Sequence, residues 1–337
     1  MPFEERIDTH THLLPPFYQQ ACRENGHTKP DGMPRLPDWT PESHLSLMDK
    51  LNISKSILSI STPGTYLTDG DHEAARKLSR QCNEYTSGLS RQHPTRFGFW
   101  ASLPLPDVEG SLTEIHYALD TLHANGVTVE TNHHGVYLGD SRLNPIFDEL
   151  NRRCATVFIH PTTPCLRLQS NNTNSETSTP ATTALSNHYP NPIFEFLFDT
   201  ARAVINLFTS GTISRCPNIT FIIPHAGGAL PPLIERFTGF GPLIGADQSL
   251  TSTVVKEAFA RQFYFDLAGF PFPDQIFGLL RYVGTERLLY GSDYPFTPEV
   301  LVVQLAEEME KGMVDEVKWD EEVRRVVLKG NAVRLLS

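Results

Sequence analysis

Eight times along the 337 residues, a short β-branched or aromatic run gives way to a stretch that suits a helix, and this alternation restricts the fold more than any other feature. The runs fall at 6–12, 54–61, 97–103, 126–131, 155–160, 219–225, 262–267 and 287–293. Helix-compatible stretches lie at 42–51, 71–92, 109–124, 143–153, 192–215, 228–240, 251–261 and 273–283. Strands alternating with helices imply a parallel sheet joined by crossover connections. Eight such units predict a single (β/α)8 TIM-like barrel domain over 1–337, although an open doubly wound sheet shares the pattern. From Thr297 onward the chain reads as two or three additional helices.

Two segments exceed ordinary loop length, 13–41 after the first strand and 162–191 after the fifth. The first is rich in Pro, Gly and charge. The second contains Gln169-Ser-Asn-Asn-Thr-Asn-Ser-Glu-Thr-Ser-Thr179, which has almost nothing to bury. In a barrel both follow strand ends and belong on the face that carries active sites, as a lid or as a surface insertion.

Composition excludes several function classes. Lys and Arg number 28 against 39 Asp and Glu, a net charge of -11, which argues against a binder of nucleic-acid phosphates. The five cysteines (Cys22, Cys82, Cys154, Cys165 and Cys216) are scattered and odd in number, a pattern of free thiols rather than a disulfide framework. Charged residues Glu4, Glu5, Arg6 and Asp8 stand where a secretory signal would be apolar, and no run reaches membrane-spanning length. A cytosolic location without membrane attachment is the expectation.

The polar residues that close the apolar runs carry the chemistry. His10 and His12 end the first run in Asp8-Thr-His-Thr-His12, and residues two apart on a strand share a face. His160 ends the fifth run, His225 the sixth and Asp293 the eighth. Three imidazoles and a carboxylate suit Zn²⁺, with Mn²⁺ as the alternative divalent ion, and leave a position for water or substrate. His225 then serves either as a further ligand or as a proton carrier beside the ion. A lone strand-end histidine is commonly just a packed, hydrogen-bonded one; five such residues at four strand ends are a metal centre. His133 and His134 close the fourth run but are adjacent, so they point to opposite sides. His44, His72, His93 and His123 read as surface residues, and Arg23 and Arg35 as solvated loop arginines.

With these residues in hand, the chain resembles the amidohydrolase superfamily, in its branch of metal-dependent decarboxylases related to aminocarboxymuconate-semialdehyde decarboxylase and γ-resorcylate decarboxylase. The resemblance rests on Asp8-Thr-His-Thr-His12, Val157-Phe-Ile-His-Pro161, Pro224-His-Ala-Gly-Gly228, Leu289-Tyr-Gly-Ser-Asp-Tyr-Pro295 and Gly330-Asn-Ala-Val-Arg334. A narrower likeness to fungal 6-methylsalicylate decarboxylases rests on Tyr137-Leu-Gly-Asp140, Leu197-Phe-Asp-Thr-Ala-Arg-Ala-Val204 and Asp266-Leu-Ala-Gly-Phe-Pro-Phe-Pro273. The resemblance implies that His10, His12, His160 and Asp293 hold the metal and that His225 is the catalytic histidine beside it. The carboxylated lysine of binuclear members has no counterpart where Val129-Glu-Thr-Asn132 stands, which implies one ion rather than two.

The same resemblance implies non-oxidative decarboxylation of a salicylate-type acid, 6-methylsalicylate to 3-methylphenol and CO₂ in polyketide secondary metabolism, with no organic cofactor. Asp293 becomes the candidate proton donor, and His225 orients the carboxylate or assists proton transfer. A mononuclear amidohydrolase or lactonase that uses ion-bound hydroxide is the alternative, since one barrel supports many reactions. Phe194, Phe270 and Phe296, with Phe198 and Phe272, flank the strand-end motifs and suit a slot for a flat apolar ring, although ordinary core packing explains each alone. Relatives imply a homo-oligomer, a dimer or a tetramer.

Overall fold

The computed structural model describes residues 3–165, 167–168, 177–178, 185–244 and 249–337. Eight strands form a ring in chain order: β1 (Arg6–His12), β2 (Ile53–Ser59), β3 (Phe97–Ser102), β4 (Gly126–Glu130), β5 (Thr156–His160), β6 (Thr220–Ile223), β7 (Phe263–Asp266) and β8 (Leu288–Leu289). Every neighbouring pair is parallel. A bridge between Asp8 and Tyr290 joins β8 back to β1, so the sheet is a closed barrel and not an open one.

That seam is short and made largely by backbone. The Thr9 amide donates to the Tyr290 carbonyl at 3.1 Å, and the Ser292 and Asp293 amides both donate to the His10 carbonyl, at 3.1 and 2.9 Å. Such approach requires a residue without a side chain: a Cβ on Gly291 would stand 2.7 Å from that of His10. A register shift between Asp8 and Thr11 interrupts the β1–β2 ladder. An extra residue in a strand turns the following side chains to the other face. Ile7 below this irregularity therefore joins the barrel's lower core, while His10 and His12 above it meet at the rim.

The lower core takes one side chain from each of seven strands: Ile7, Ile57, Trp100, Phe158, Ile222, Tyr264 and Leu289. Ala332, with Leu335 and Leu336 against it, adds the C-terminal helix Asn331–Leu335 to this cluster. The Phe158 ring lies edge-on to His10 with centroids 4.9 Å apart, so the apolar plug is the floor of the site. A larger cluster fills the layer between strands and surrounding helices.

Most sequence-based boundaries hold within a few residues, and the departures have local causes. Thr40 caps the helix Pro41–Lys50 by accepting from the Ser43 amide, moving its start ahead of residue 42. The stretch 192–215 divides into Asn191–Thr209 and Thr212–Arg215, because Gly211 adopts φ 78° between them. The stretch 109–124 keeps α-helical turns only over Val108–His116 before widening to a π turn, and 273–283 keeps only Gln275–Leu279. Segment 13–41 is not structureless: it carries the helix Pro16–Glu24 and folds over the strand ends. Of the polar stretch 169–179, only the pair Thr177–Ser178 is described, antiparallel to Arg167–Leu168; its reading as a lid lies outside the described residues. Among the described residues no helix is long and apolar enough to cross a membrane.

The seam makes the barrel sensitive at one atom. Gly291→Ala is expected to destabilise the protein by about 1–3 kcal/mol through overpacking against His10, measured by equilibrium denaturation. An unchanged midpoint would mean that the seam accommodates a methyl group.

Candidate metal centre

Two of the strand ends continue into turns that aim their side chains inward. Past β6, His225 and Ala226 adopt φ 53° and 51°, and past β8, Asp293 adopts φ 57°. These are left-handed conformations that L-residues take only when neighbours hold them. Gln275 Nε2 holds the first turn by donating to the His225 carbonyl at 2.6 Å, and the His10 carbonyl holds the second. Gly228 completes the first turn against the helix Asn191–Thr209, since a Cβ there would meet the Leu197 carbonyl at 2.7 Å.

These elements bring His10, His12, His160 and Asp293 together, with one donor atom of each within 4.8 Å of all the others. His12 Nε2 is 3.1 Å and His10 Nε2 3.5 Å from Asp293 Oδ1, and His225 Nε2 is 3.6 Å from Asp293 Oδ2. The three histidines of the cluster are buried, whereas the Asp293 side chain is 21 % exposed and so reachable from the pocket above.

The opposite ring nitrogens of His10 and His12 are tied to the barrel wall, and these anchors were not evident from sequence spacing. Asp266, at the end of β7, accepts from His10 Nδ1 at 3.0 Å through Oδ2, while its Oδ1 accepts from the His225 and Ala268 amides. His12 Nδ1 is 3.0 Å from Ser59 Oγ. His160 Nε2 is 3.4 Å from Ser61 Oγ, and its Nδ1 faces Glu130 Oε2 at 3.5 Å. Asp266 carried a sequence signal, as an acidic residue near the end of the seventh apolar run.

Burial and mutual charge sort these groups. Burial lowers His12 and His160, His160 strongly, and the neighbouring imidazoles push the same way. Burial acts on His10 too, but Asp266 and Asp293 outweigh it and raise its pKa to about 10. Burial alone would raise Asp293; the imidazoles of His10, His12 and His225 around it instead hold it well below the usual carboxylate range. Asp266 is likewise lowered, burial notwithstanding, by His10.

A divalent cation fits this arrangement. His10 Nε2 is a buried nitrogen with no hydrogen-bond partner, turned toward an ionised carboxylate, and the donors are imidazole and carboxylate groups of the kind that bind Zn²⁺ or Mn²⁺. A three-histidine, one-aspartate metal-binding site is therefore present.

The pocket above it has a volume of about 330 Å³ and is walled by Ile193, Phe196, Leu197, Phe270, Phe296 and Leu301, with Asp31 and Met33 from segment 13–41. Phe296 also packs edge-on against His12, centroids 5.5 Å apart. Of the expected aromatic contacts, Phe270 and Phe296 line this pocket and Phe194 does not: its ring packs on Tyr189 at the surface. The wall positions on that helix, Ile193, Phe196 and Leu197, follow an i, i+3, i+4 pattern that places Phe194 and Phe198 on the outer side. Phe272 packs on Trp319. His133 lines a neighbouring cavity. His44 is a correction: it is buried, accepts from Trp39 Nε1 at 3.0 Å and packs against Phe97 and Tyr294. Arg23 and Arg35 are exposed, as expected.

Because His10 alone among the three histidines carries both ring protons at neutral pH without metal, metal binding at pH 7 is expected to release about one proton. Apparent affinity should then rise with pH until about 10, where the metal-free protein gives up that proton. Calorimetric titration in buffers of different ionisation enthalpy measures the release, and a pH-independent affinity would contradict it.

The pattern of the amidohydrolase family matches residues 7–337. The decarboxylase yanB of Aspergillus niger is 38 % identical over 98 % of this chain and 87 % of its own length. The 6-methylsalicylic acid decarboxylase of Penicillium expansum is 34 % identical, over 98 % of this chain and 95 % of its own. Among solved structures, the crystal structure of an amidohydrolase II superposes with a TM-score of 0.83 at 32 % identity, over 98 % of this chain and 99 % of the other. With the barrel closed, the cluster assembled at its rim and the match running through both, the chain belongs to the amidohydrolase family.

Proposed function

We propose that this protein is a metal-dependent, non-oxidative decarboxylase that converts 6-methylsalicylate to 3-methylphenol and CO₂. The observation that carries the reading is the division of the pocket. Its ionisable groups are His160, His225 and Asp293 of the strand-end cluster and Asp31 of segment 13–41, and most of the remaining lining is apolar. Among the described residues that line it there is no Lys or Arg, so an acid's carboxylate finds positive charge only at the metal centre. The volume, near the lower end of the ~300–1,000 Å³ typical of small-molecule sites, suits one substituted ring. The similarity to fungal decarboxylases that include a 6-methylsalicylic acid decarboxylase supports the same substrate class.

His10, His12, His160 and Asp293 would hold a single ion, for which we propose Zn²⁺, with Mn²⁺ as the alternative. Bound there, the ion supplies Lewis acidity toward the ortho phenolic and carboxylate oxygens. Asp293 is held ionised by its histidine neighbours and therefore cannot begin the reaction as an acid. It accepts the phenolic proton when the acid binds, and then delivers that proton to the carboxyl-bearing ring carbon. Protonation first avoids an aryl carbanion. The carbon–carbon bond then breaks, its electron pair restores the aromatic ring, CO₂ departs, and the product phenolate takes a proton from solvent.

His225 Nε2, 3.6 Å from Asp293 Oδ2, steadies the carboxylate oxygen that handles the proton. The apolar walls act on both ends of the reaction. They disfavour the charged acid more than the neutral phenol and CO₂, and they exclude water from the protonated ring.

Incubation with 6-methylsalicylate is expected to yield 3-methylphenol and CO₂ by chromatography, with activity lost on chelation and restored by Zn²⁺. Turnover of lactones or amides but not of the acid would reject the proposal. Asp293→Asn and His225→Ala are each expected to lower kcat about 10²–10⁴-fold, with the far-UV circular dichroism unchanged. A near wild-type rate in either variant removes that residue from the mechanism.

A further inference from the structure

β4 and β5 lie side by side in register, with Glu130 directly opposite His160 at their C-terminal ends. Both residues are buried. Glu130 Oε2 and His160 Nδ1 are 3.5 Å apart, and each is a buried polar atom that makes no hydrogen bond. An isolated buried carboxyl oxygen and an isolated ring nitrogen are each costly, so their mutual approach calls for an explanation. The other two histidines of the centre supply it. His10 turns Nδ1 to Asp266, and His12 turns Nδ1 to Ser59, each leaving Nε2 toward the cluster. A polar wall group on the far nitrogen fixes the tautomer and the ring angle of a metal-ligating histidine.

We propose that Glu130 is the positioning residue of His160, receiving its Nδ1 proton so that Nε2 is held unprotonated and directed at the metal. The inference rests on the metal-centre reading above. It gives the fourth strand a function in a barrel whose other site residues come from the ends of β1, β2, β5, β6, β7 and β8. It also explains why a glutamate, longer than the serine behind His12, stands there: the acid must cross from one strand to the next.

Glu130 also borders a second cavity of about 260 Å³ that runs between the loops after β2, β4 and β5. Shortening the side chain therefore enlarges an existing polar space instead of opening a dry void in the core, and variants at this position are expected to fold. Gly64 stands over the acid, where a Cβ would come 3.5 Å from Glu130 Oε1.

The test compares Glu130→Gln with Glu130→Asp. The amide keeps the reach and an acceptor oxygen for the Nδ1 proton; the aspartate keeps the carboxyl but withdraws it by one methylene. Affinity for Zn²⁺ is measured by competition with a chromogenic chelator, and ligand geometry by the visible absorption of the Co²⁺-substituted protein. E130Q is expected to bind Zn²⁺ within about threefold of wild type with the same Co²⁺ spectrum. E130D is expected to bind roughly 10–100-fold more weakly with an altered spectrum. Wild-type affinity and spectrum in E130D would overturn the proposal, as would equal losses in both variants. Failure of the unsubstituted protein to bind either ion would instead reject the metal centre itself, and the two failures are thereby distinguishable.

Discussion

The structure depends on the seam where the last strand meets the first. β8 is only two residues long, too short to close a barrel by an ordinary ladder. Closure comes from the turn that follows it, whose amides bond to the His10 carbonyl while Gly291 lies against the His10 side chain. The contact that shuts the barrel therefore also delivers Asp293 to His10 and His12. Fold and metal centre are coupled at this point: a residue that loosened the seam would also move the carboxylate away from the imidazoles.

Electrostatics at the centre follows from crowding. His10, His12, His160 and His225 bring their rings together at centroid distances of 4.7–5.4 Å, in surroundings that expel solvent. Not all can carry protons. The two anions are placed so that the positive charge goes to His10, flanked by Asp266 and Asp293, while His12 and His160 are left neutral and ready to donate lone pairs. A divalent ion held by His10, His12, His160 and Asp293 would take the place of one proton on His10, the other two imidazoles being already neutral. The buried carboxylate of Asp266 remains the counter-charge after that exchange, at the end of β7 and one step behind the ligands.

How much of this was legible beforehand follows from the reach of periodicity. A strand's alternation and an apolar run's end are visible in sequence, so His10, His12, His160, His225 and Asp293 stood out, as did the eight-unit barrel. The β1 irregularity that brings His10 and His12 to the rim while Ile7 stays in the lower core was not visible, because nothing in Asp8-Thr-His-Thr-His12 marks it. Ser59 and Glu130 were hidden for another reason: which residues oppose each other is a property of strand register, which the chain does not announce. His44 was misjudged because a histidine within a predicted helix reads as polar surface, whereas its ring here completes an aromatic cluster with Trp39, Phe97 and Tyr294. Phe194 stands out in sequence by its place beside the strand-end motifs, whereas the helical phase turns Phe196 and not Phe194 toward the pocket.

The division between scaffold and pocket has a chemical consequence. The clustered histidines and Asp293 sit on strand ends and the tight turns after them, where backbone bonds fix the positions of the residues. The groups that wall the pocket come from elements outside the strands: segment 13–41, the helix Asn191–Thr209, the stretch after β7 that carries Phe270, and the stretch after Asp293. A change of ring substituent is therefore met by residues that can vary without disturbing the ligands. The reverse does not hold, since Asp293 is at once cluster member, neighbour of Phe296 and part of the barrel seam. Substrate choice can shift along the walls while the reaction type stays tied to the closure of the barrel.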